Sequence, residues 1–415
     1  MQENIAISTV YGRRRRANNM QAVKIKDNVF WVGAIDWNIR DFHGYSTNRG
    51  TTYNAYLILD EKVVLIDTVK KEFYPQMLAR IKSVLPSAKI DVLISNHSEL
   101  DHSGSVPEAL RDLRPQHFYA SQKGVENLKA HLGSELPVSL IPDGGEIKSG
   151  AFTLQFFESR MLHWPDSMVC LLKEENIFFC NDIFGMHYAS GERFDDQVPQ
   201  EILAYEAKKY YANIILPYTN VVKVFLARIK KLGINPAMIC PDHGPLWRSN
   251  SQKILALYEQ FSSQKNLAKA LVVYDTMWGS TAKMADSISD GLISQGIEVK
   301  QYCMHFSHRS DIATELLDSA ALIIGSPVLN QEIYPSLADV FTYLKGLRKQ
   351  GLLGAAFGSC GWSDMPLNNL EKMLLSMQAK IIAPTLKARF VPTEEKLLEC
   401  FNTGVLISEK IKESV

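Results

Sequence analysis

The sequence predicts an α+β domain followed by an α/β domain: an αββα sandwich, then a doubly wound, five-stranded parallel sheet. Three observations predict this. The chain has 415 residues, which suggests two or three domains. From Val23 to about Asn250, short apolar strands come in quick succession, later mixed with helical segments. From Lys269 onward strands and helices alternate strictly.

In the first region "VFWVGAI", "NAYLIL" and "KVVLID" read as three strands. "YPQMLARIKSVL" carries helical spacing, and "IDVLISN" is a buried strand. "ENLKAHL", "FTLQFFES", "VCLLK" and "NIFFC" continue the mixture. In the second region the strands are "KALVVYD", "EVKQYC", "ALIIGS", "GAAFGS" and a weaker "AKIIAPTLKARF". Helical segments fall at 281–295, 311–318, 335–347, 366–378 and 394–410. The polar stretch "QFSSQKNLAK" separates the regions, giving domains at 20–265 and 266–415.

Composition narrows the function. Lys+Arg 45 balances Asp+Glu 45, so no charge excess points to nucleic acid or an anionic membrane. No apolar stretch approaches the roughly 18 residues of a membrane span. "RRRR" at 13–16 is followed by "ANNMQAVKIKDN", which lacks the apolar core of an export signal. Residues 1–19 therefore read as a solvated, disordered extension. Six cysteines are scattered without any C-x-x-C pair. That excludes a disulfide framework and cysteine-clustered zinc, iron–sulfur or rubredoxin-type iron, and it fits a reducing cytoplasm.

"NHSELDHSG" at 96–104 places His97, Glu99, Asp101 and His102 within six positions, directly after a strand. Three later fragments add candidates: His163 in "LHWPDS", Asp182 in "CNDIFG" and His243 in "CPDHGPLW". Each has a bland reading alone, a helix cap for the cluster or a packing role for a lone histidine. Together they supply four imidazoles and three carboxylates, enough for two metals. "DFHGYSTNRGTTYNAY" carries His43 and Tyr45, and Trp164 follows a candidate ligand. His117, His131, His187, His305 and His308 lack such context and read as surface or structural residues.

The pattern H-x-E-x-D-H … H … D … H resembles the flavodiiron proteins, or A-type flavoproteins, over essentially the whole chain from Met20. These join a metallo-β-lactamase-like domain to a flavodoxin-like domain. The resemblance implies that His97, Glu99 and His163 bind one iron, that Asp101, His102 and His243 bind the other, and that Asp182 bridges them. His102 stays open as a ligand, its equivalent swinging away in some members. It also implies that His43 and Tyr45 lie in a loop directed at the diiron pocket. Zinc hydrolases of this fold usually carry His where Glu99 stands; a harder, negative carboxylate suits redox iron.

"VVYDTMWGSTAKMADSI" is strand, polar loop and helix. Thr276, Met277, Trp278, Gly279, Ser280 and Thr281 place hydroxyls and backbone N–H groups around a helix start, where a phosphate binds. This is neither a G-x-G-x-x-G nor a G-x-x-x-x-G-K-[ST] motif. It resembles the phosphate loop of flavodoxins, which implies FMN. Two further strand-end loops fit: Ser326, Pro327, Val328, Leu329 and Asn330, then Ser359, Cys360, Gly361, Trp362 and Ser363. The family usually has Tyr or His where Cys360 stands, so ring contacts or potential are expected to differ.

The resemblance implies a soluble oxygen and/or nitric oxide reductase. Four electrons take O2 to two waters, and two take a pair of NO to N2O. Without a rubredoxin cysteine set or a nicotinamide motif, the chain is expected to need an external donor, a rubredoxin or a reduced deazaflavin. A head-to-tail homodimer, or a tetramer of such pairs, is implied, with Trp362 near the partner's metal pocket. Two other readings are a zinc hydrolase with an appended flavodoxin domain and a non-catalytic electron carrier.

Overall fold

The structure, a computed structural model, describes residues 20–415, so the extension expected at 1–19 lies outside the described residues. Two sheets face each other in the first half. The first runs Val23–Lys26, Val29–Trp31, Tyr56–Leu59, Val63–Ile66, Val92–Ser95, His117–Ala120 and Ser139–Leu140 in spatial order. The second runs Glu146–Ser149, Phe152–Glu158, Met168–Leu172, Ile177–Phe179 and Met238–Cys240.

Alternation along the strands decides which side chains meet. Tyr56, Ile58, Val64, Ile66, Val92 and Ile94 point to the second sheet, against Phe156, Cys170, Phe179 and Met238. Leu57, Leu65 and Leu93 point the other way, onto Met77 and Ile81 of the helix Tyr74–Val84. The outer face of the second sheet, including Phe157, Leu171, Phe178 and Ile239, is covered by the helices Gln200–Tyr210, Thr219–Lys231 and Ser251–Ser263. Both faces of each sheet are thus buried, the αββα arrangement, and near-continuous apolar strands follow from it.

In the second half the parallel order is Glu298–Cys303, Leu267–Tyr274, Ser319–Leu329 and Leu353–Cys360, with Leu386–Arg389 outermost. That is the 2-1-3-4-5 order of a doubly wound sheet. Val272 and Ile323 meet the helices Ser280–Ser294 and Glu394–Ser414 on one face. Val273 and Ile324 meet Arg309–Leu316 and Pro335–Leu347 on the other.

Two expected strands are divided. "VFWVGAI" becomes Val29–Trp31 and Ala34–Asp36, which belong to different sheets. The break falls at Gly33, where a Cβ would stand 2.2 Å from the Tyr53 carbonyl oxygen. Only glycine lets the two backbones pass so closely. "AKIIAPTLKARF" becomes Lys380–Ile381 and Leu386–Arg389, both paired with Leu353–Cys360. Pro384 lies between them and can donate nothing to a ladder.

The two halves are bolted together by charge. Lys208 and Lys209 on Gln200–Tyr210 donate to Asp318 and Asp311 of the second half, each at 2.7 Å. Among the described residues, no helix is long and apolar enough to cross a membrane.

Candidate metal centre and cofactor pocket

Strand direction gathers the candidate metal ligands. Phe152–Glu158 and Ile177–Phe179 are both antiparallel to Met168–Leu172, and Met238–Cys240 is parallel to Ile177–Phe179. Their carboxyl ends therefore share one edge, from which the turns bearing His163, Asp182 and His243 emerge. The loop after Val92–Ser95 in the facing sheet supplies His97 and Glu99, and the short helix Leu100–Ser103 supplies Asp101 and His102. Ligands on strand ends are carried by the most rigid part of the fold.

The seven residues fall into two groups. Donor atoms of His97, Glu99, His163 and Asp182 lie within 4.8 Å of one another, as do those of Asp101, His102 and His243. Asp182 faces both. Its Oδ2 is 3.0 Å from His163 Nε2 and 3.2 Å from His97 Nε2. Its Oδ1 is 3.3 Å from His102 Nε2 and 3.4 Å from His243 Nε2. Asp101 Oδ2 is 3.2 and 3.3 Å from Nε2 of His102 and His243.

Hydrogen bonds behind the imidazoles fix which nitrogen faces inward. His243 Nδ1 donates to the Thr52 carbonyl at 2.6 Å; a carbonyl can only accept, so Nε2 of the neutral ring carries its lone pair into the site. His97 Nδ1 lies 3.2 Å from Asp166 Oδ2, which also accepts from the Ser98 N–H at 2.6 Å. In the neutral ring, His97 Nε2 then turns its lone pair toward Glu99 and Asp182. Both Asp101 carboxylate oxygens and Asp182 Oδ1 are buried without a hydrogen-bond partner among the described residues. Lone pairs and unsatisfied anions converging in a buried space repel one another unless cations stand between them. Donors sharing a metal at bonds of about 2.1 Å lie about 3.0–3.4 Å apart, the spacing found here. The donor set fits two metal ions, and its carboxylates and imidazoles suit iron.

A further layer was not singled out from the sequence. Asp166 orients His97, although it sits in the "LHWPDS" fragment beside His163. Asp242 Oδ2 stands 3.7 Å from His102 Nδ1; burial pushes its carboxyl well above the usual range, and Asp67 adds to the effect. Burial likewise raises the Asp67 carboxyl, to about 6, against the hydrogen bonds Asn96 donates to it. Asp166, hydrogen-bonded to His97, is a partner of the kind that sets ligand orientation and basicity. For Asp166 and Asp242, which share the fragments of His163 and His243, adjacency to a ligand is the signal that could have found them; Asp67 has no such sign.

His187, read from the sequence as surface or structural, stands beside the site. It is buried, its ring 4.7 Å from that of His243, and Thr51 Oγ1 contacts its Nδ1 at 2.9 Å. Burial, then the neighbouring His243, hold its pKa well below the ordinary histidine range. His308 caps the helix Arg309–Leu316, and His117, His131 and His305 are exposed. Trp164 meets the His97 ring edge-on at 5.2 Å. His43 is exposed and places Nε2 3.1 Å from Glu99 Oε1. Tyr45 is buried; its ring packs 5.1 Å from His187 and lies under the Lys209 ammonium, so it borders the ligands through His187.

The second chemical feature is a cavity of about 640 Å³ at the carboxyl ends of the parallel strands. Thr276, Met277, Trp278 and Ser280 line one side, and Pro327, Val328, Leu329 and Asn330 a second. The run Ser359, Cys360, Gly361, Trp362 and Ser363 forms a third side. Gly279, with φ of 83°, starts the helix Ser280–Ser294 without a side-chain cap, which leaves first-turn N–H groups for a phosphate. Two expected residues act from behind the wall. Thr281 Oγ1 contacts Ser359 Oγ at 2.8 Å, and Ser326 Oγ accepts from the Tyr334 N–H at 2.9 Å. Gln331, Phe390 and Val391 also line the cavity. The last two lie just past the fifth strand, where ligands of open α/β sheets are expected. Cys360 Sγ turns toward the Ala388 carbonyl at 3.6 Å, and burial raises its thiol pKa. A phosphate cradle beside an aromatic-rimmed slot fits FMN.

Comparison with known proteins agrees with both features. The family described as "ODP family beta lactamase" matches residues 51–244, and "Flavodoxin" matches 272–404. A nitric oxide reductase of Moorella thermoacetica is 41% identical over 94% of this chain and 99% of that protein. The solved rubredoxin oxygen:oxidoreductase of Desulfovibrio gigas superposes with a TM-score of 0.93 at 39% identity, covering 95% of this chain and 99% of that one. The flavodiiron protein of Giardia intestinalis gives 0.91 at 32% identity, covering 95% and 97%. Identity at this level over nearly the whole of both partners makes the chain a member of the flavodiiron protein family.

Proposed function

We propose that the protein is a flavodiiron oxygen and/or nitric oxide reductase. The observation that carries this reading is Asp182, one carboxylate presenting one oxygen to each of two His/carboxylate groups. His97, Glu99 and His163 are the ligands of one iron, Asp101, His102 and His243 those of the other, and Asp182 is shared. When bound, the iron pair and FMN supply electrons, four with four protons for O2 to two waters, or two with two protons for two NO to N2O and water.

The chain's own residues prepare that chemistry. Asp166 and the Thr52 carbonyl hold His97 and His243 with Nε2 inward. Phe42 lies 4.9 Å from His187 and helps to wall the site from water, while the exposed His43 stands on Glu99. In the second domain the Ser280 helix start binds the flavin phosphate, and Thr276 braces its loop by accepting from the Gly279 N–H at 3.1 Å.

The domains divide at 265/266, and the protein works in the cytoplasm. A rubredoxin supplies electrons, with a reduced deazaflavin as the alternative donor. Two chains, or a tetramer of such pairs, associate head to tail, so that each flavin faces the partner's metal site. Trp278 and Trp362, 93% and 85% exposed at the rim of the flavin cavity, support this, since large apolar side chains left in water at a cofactor mouth mark a contact surface.

The test is anaerobic gas consumption by iron- and FMN-loaded protein with reduced rubredoxin. Steady consumption of O2 or NO is expected. Neither gas being consumed while hydrolytic activity appears with zinc would favour the hydrolase reading instead.

A further inference from the structure

His43 sits at the tip of a very small hairpin. Strands Asp41–Phe42 and Tyr45–Ser46 pair only with each other and join neither large sheet. The two turn residues, His43 and Gly44, have φ of 56° and 81°. Such a turn favours Asn-Gly. A hairpin of this size is not stable alone, so its position depends on what it touches.

On one side it touches the metal site: His43 Nε2 lies 3.1 Å from Glu99 Oε1, and Phe42 packs on His187. On the other side it touches the flavodoxin domain of the same chain. Arg309 Nε donates to the Gly44 carbonyl at 3.3 Å, and its Nη1 is anchored on Asp339 at 2.6 Å. A Cβ on Gly44 would stand 2.5 Å from Arg309 Nη2. Ser310 Oγ accepts from the Ser46 N–H at 3.1 Å and pairs with Ser46 Oγ at 2.8 Å. The buried Lys209 ammonium donates to Ser46 Oγ at 2.9 Å from the metal-domain side.

We propose that the flavodoxin domain has a role in its own chain besides carrying the flavin: Arg309 and Ser310 are positioning residues that hold the His43 turn against Glu99. The inference rests on the diiron reading above. The flavin domain is then also a structural part of its own chain's metal site, and loosening the Arg309 and Ser310 contacts to the turn loosens an iron ligand.

The test uses holoprotein and follows loss of iron to an Fe(II) chelator, with FMN content and thermal midpoint measured alongside. His43→Asn keeps a residue that suits the turn and removes the imidazole. Removing a partner of a metal ligand weakens metal binding about 10- to 100-fold, so His43→Asn and Arg309→Ala should each speed iron loss about tenfold. The double variant should be no faster than either single one, because both remove the same contact. Lys208→Ala breaks the domain contact to Asp318 without touching the turn and should leave iron loss unchanged. Asp339→Asn frees Arg309 more gently and should give a smaller change of the same sign, which keeps the idea testable should Arg309→Ala fold poorly. Independent effects in the double variant, or equal acceleration by Lys208→Ala, would reduce Arg309 to a domain bolt and overturn the proposal. Wild-type protein that takes up no iron would instead overturn the diiron reading, and this inference with it.

Discussion

Asp182→Ala is expected to lower O2 and NO consumption together, by more than about 100-fold, while FMN stays bound. The carboxylate is buried, and each of its oxygens faces a different pair of imidazoles at 3.0–3.4 Å. Deleting it leaves two cations facing each other across a space that has lost its shared anion. The flavin cavity draws its lining from residues 276–391, so its occupancy is unaffected. Asp182→Asn separates charge from shape: it keeps the volume, loses the negative charge and should fall nearly as far. Activity near wild type in a fully metallated Asp182→Ala protein would remove Asp182 from the centre.

A mixture of two inactive proteins should recover activity. One lacks His97 and Glu99; the other, Ser280→Asp, places a negative charge where the phosphate binds and cannot hold FMN. If subunits exchange freely in a head-to-tail dimer, half of the dimers are mixed, and each mixed dimer contains one intact flavin facing one intact metal site. Recovery of about a quarter of wild-type activity is expected. Transfer within a chain predicts none, because no chain carries both intact parts. Demonstrated exchange without recovery would therefore dismiss the head-to-tail arrangement.

The ligands were readable in sequence because local chemistry crowds them. His97, Glu99, Asp101 and His102 share one strand-end segment, and Asp182 and His243 each follow an apolar, strand-like run. The flavin loops were readable for the same reason, as three polar turns at successive strand ends. What escaped depends on residues far apart in the chain. Asp166 meets His97 across 69 positions, and Arg309 meets Gly44 across 265. His187 has no motif around it, and only the packing of Phe42, Tyr45 and His243 shows its place. The divided strand at Gly33 has a similar origin, since the Tyr53 backbone that crosses it is a tertiary contact. The gap in the fifth strand had a local sign in Pro384, which strand propensity over the longer apolar segment outweighed.

The central claim is that the two donor groups joined by Asp182 hold a pair of irons. Mössbauer spectroscopy of protein grown on ⁵⁷Fe, with the metal counted in the same sample, addresses it most directly. About two irons per chain, magnetically coupled as ions sharing a bridging ligand must be, is the expected result. Zinc in place of iron in freshly purified, iron-replete protein, or a single uncoupled iron, would contradict it.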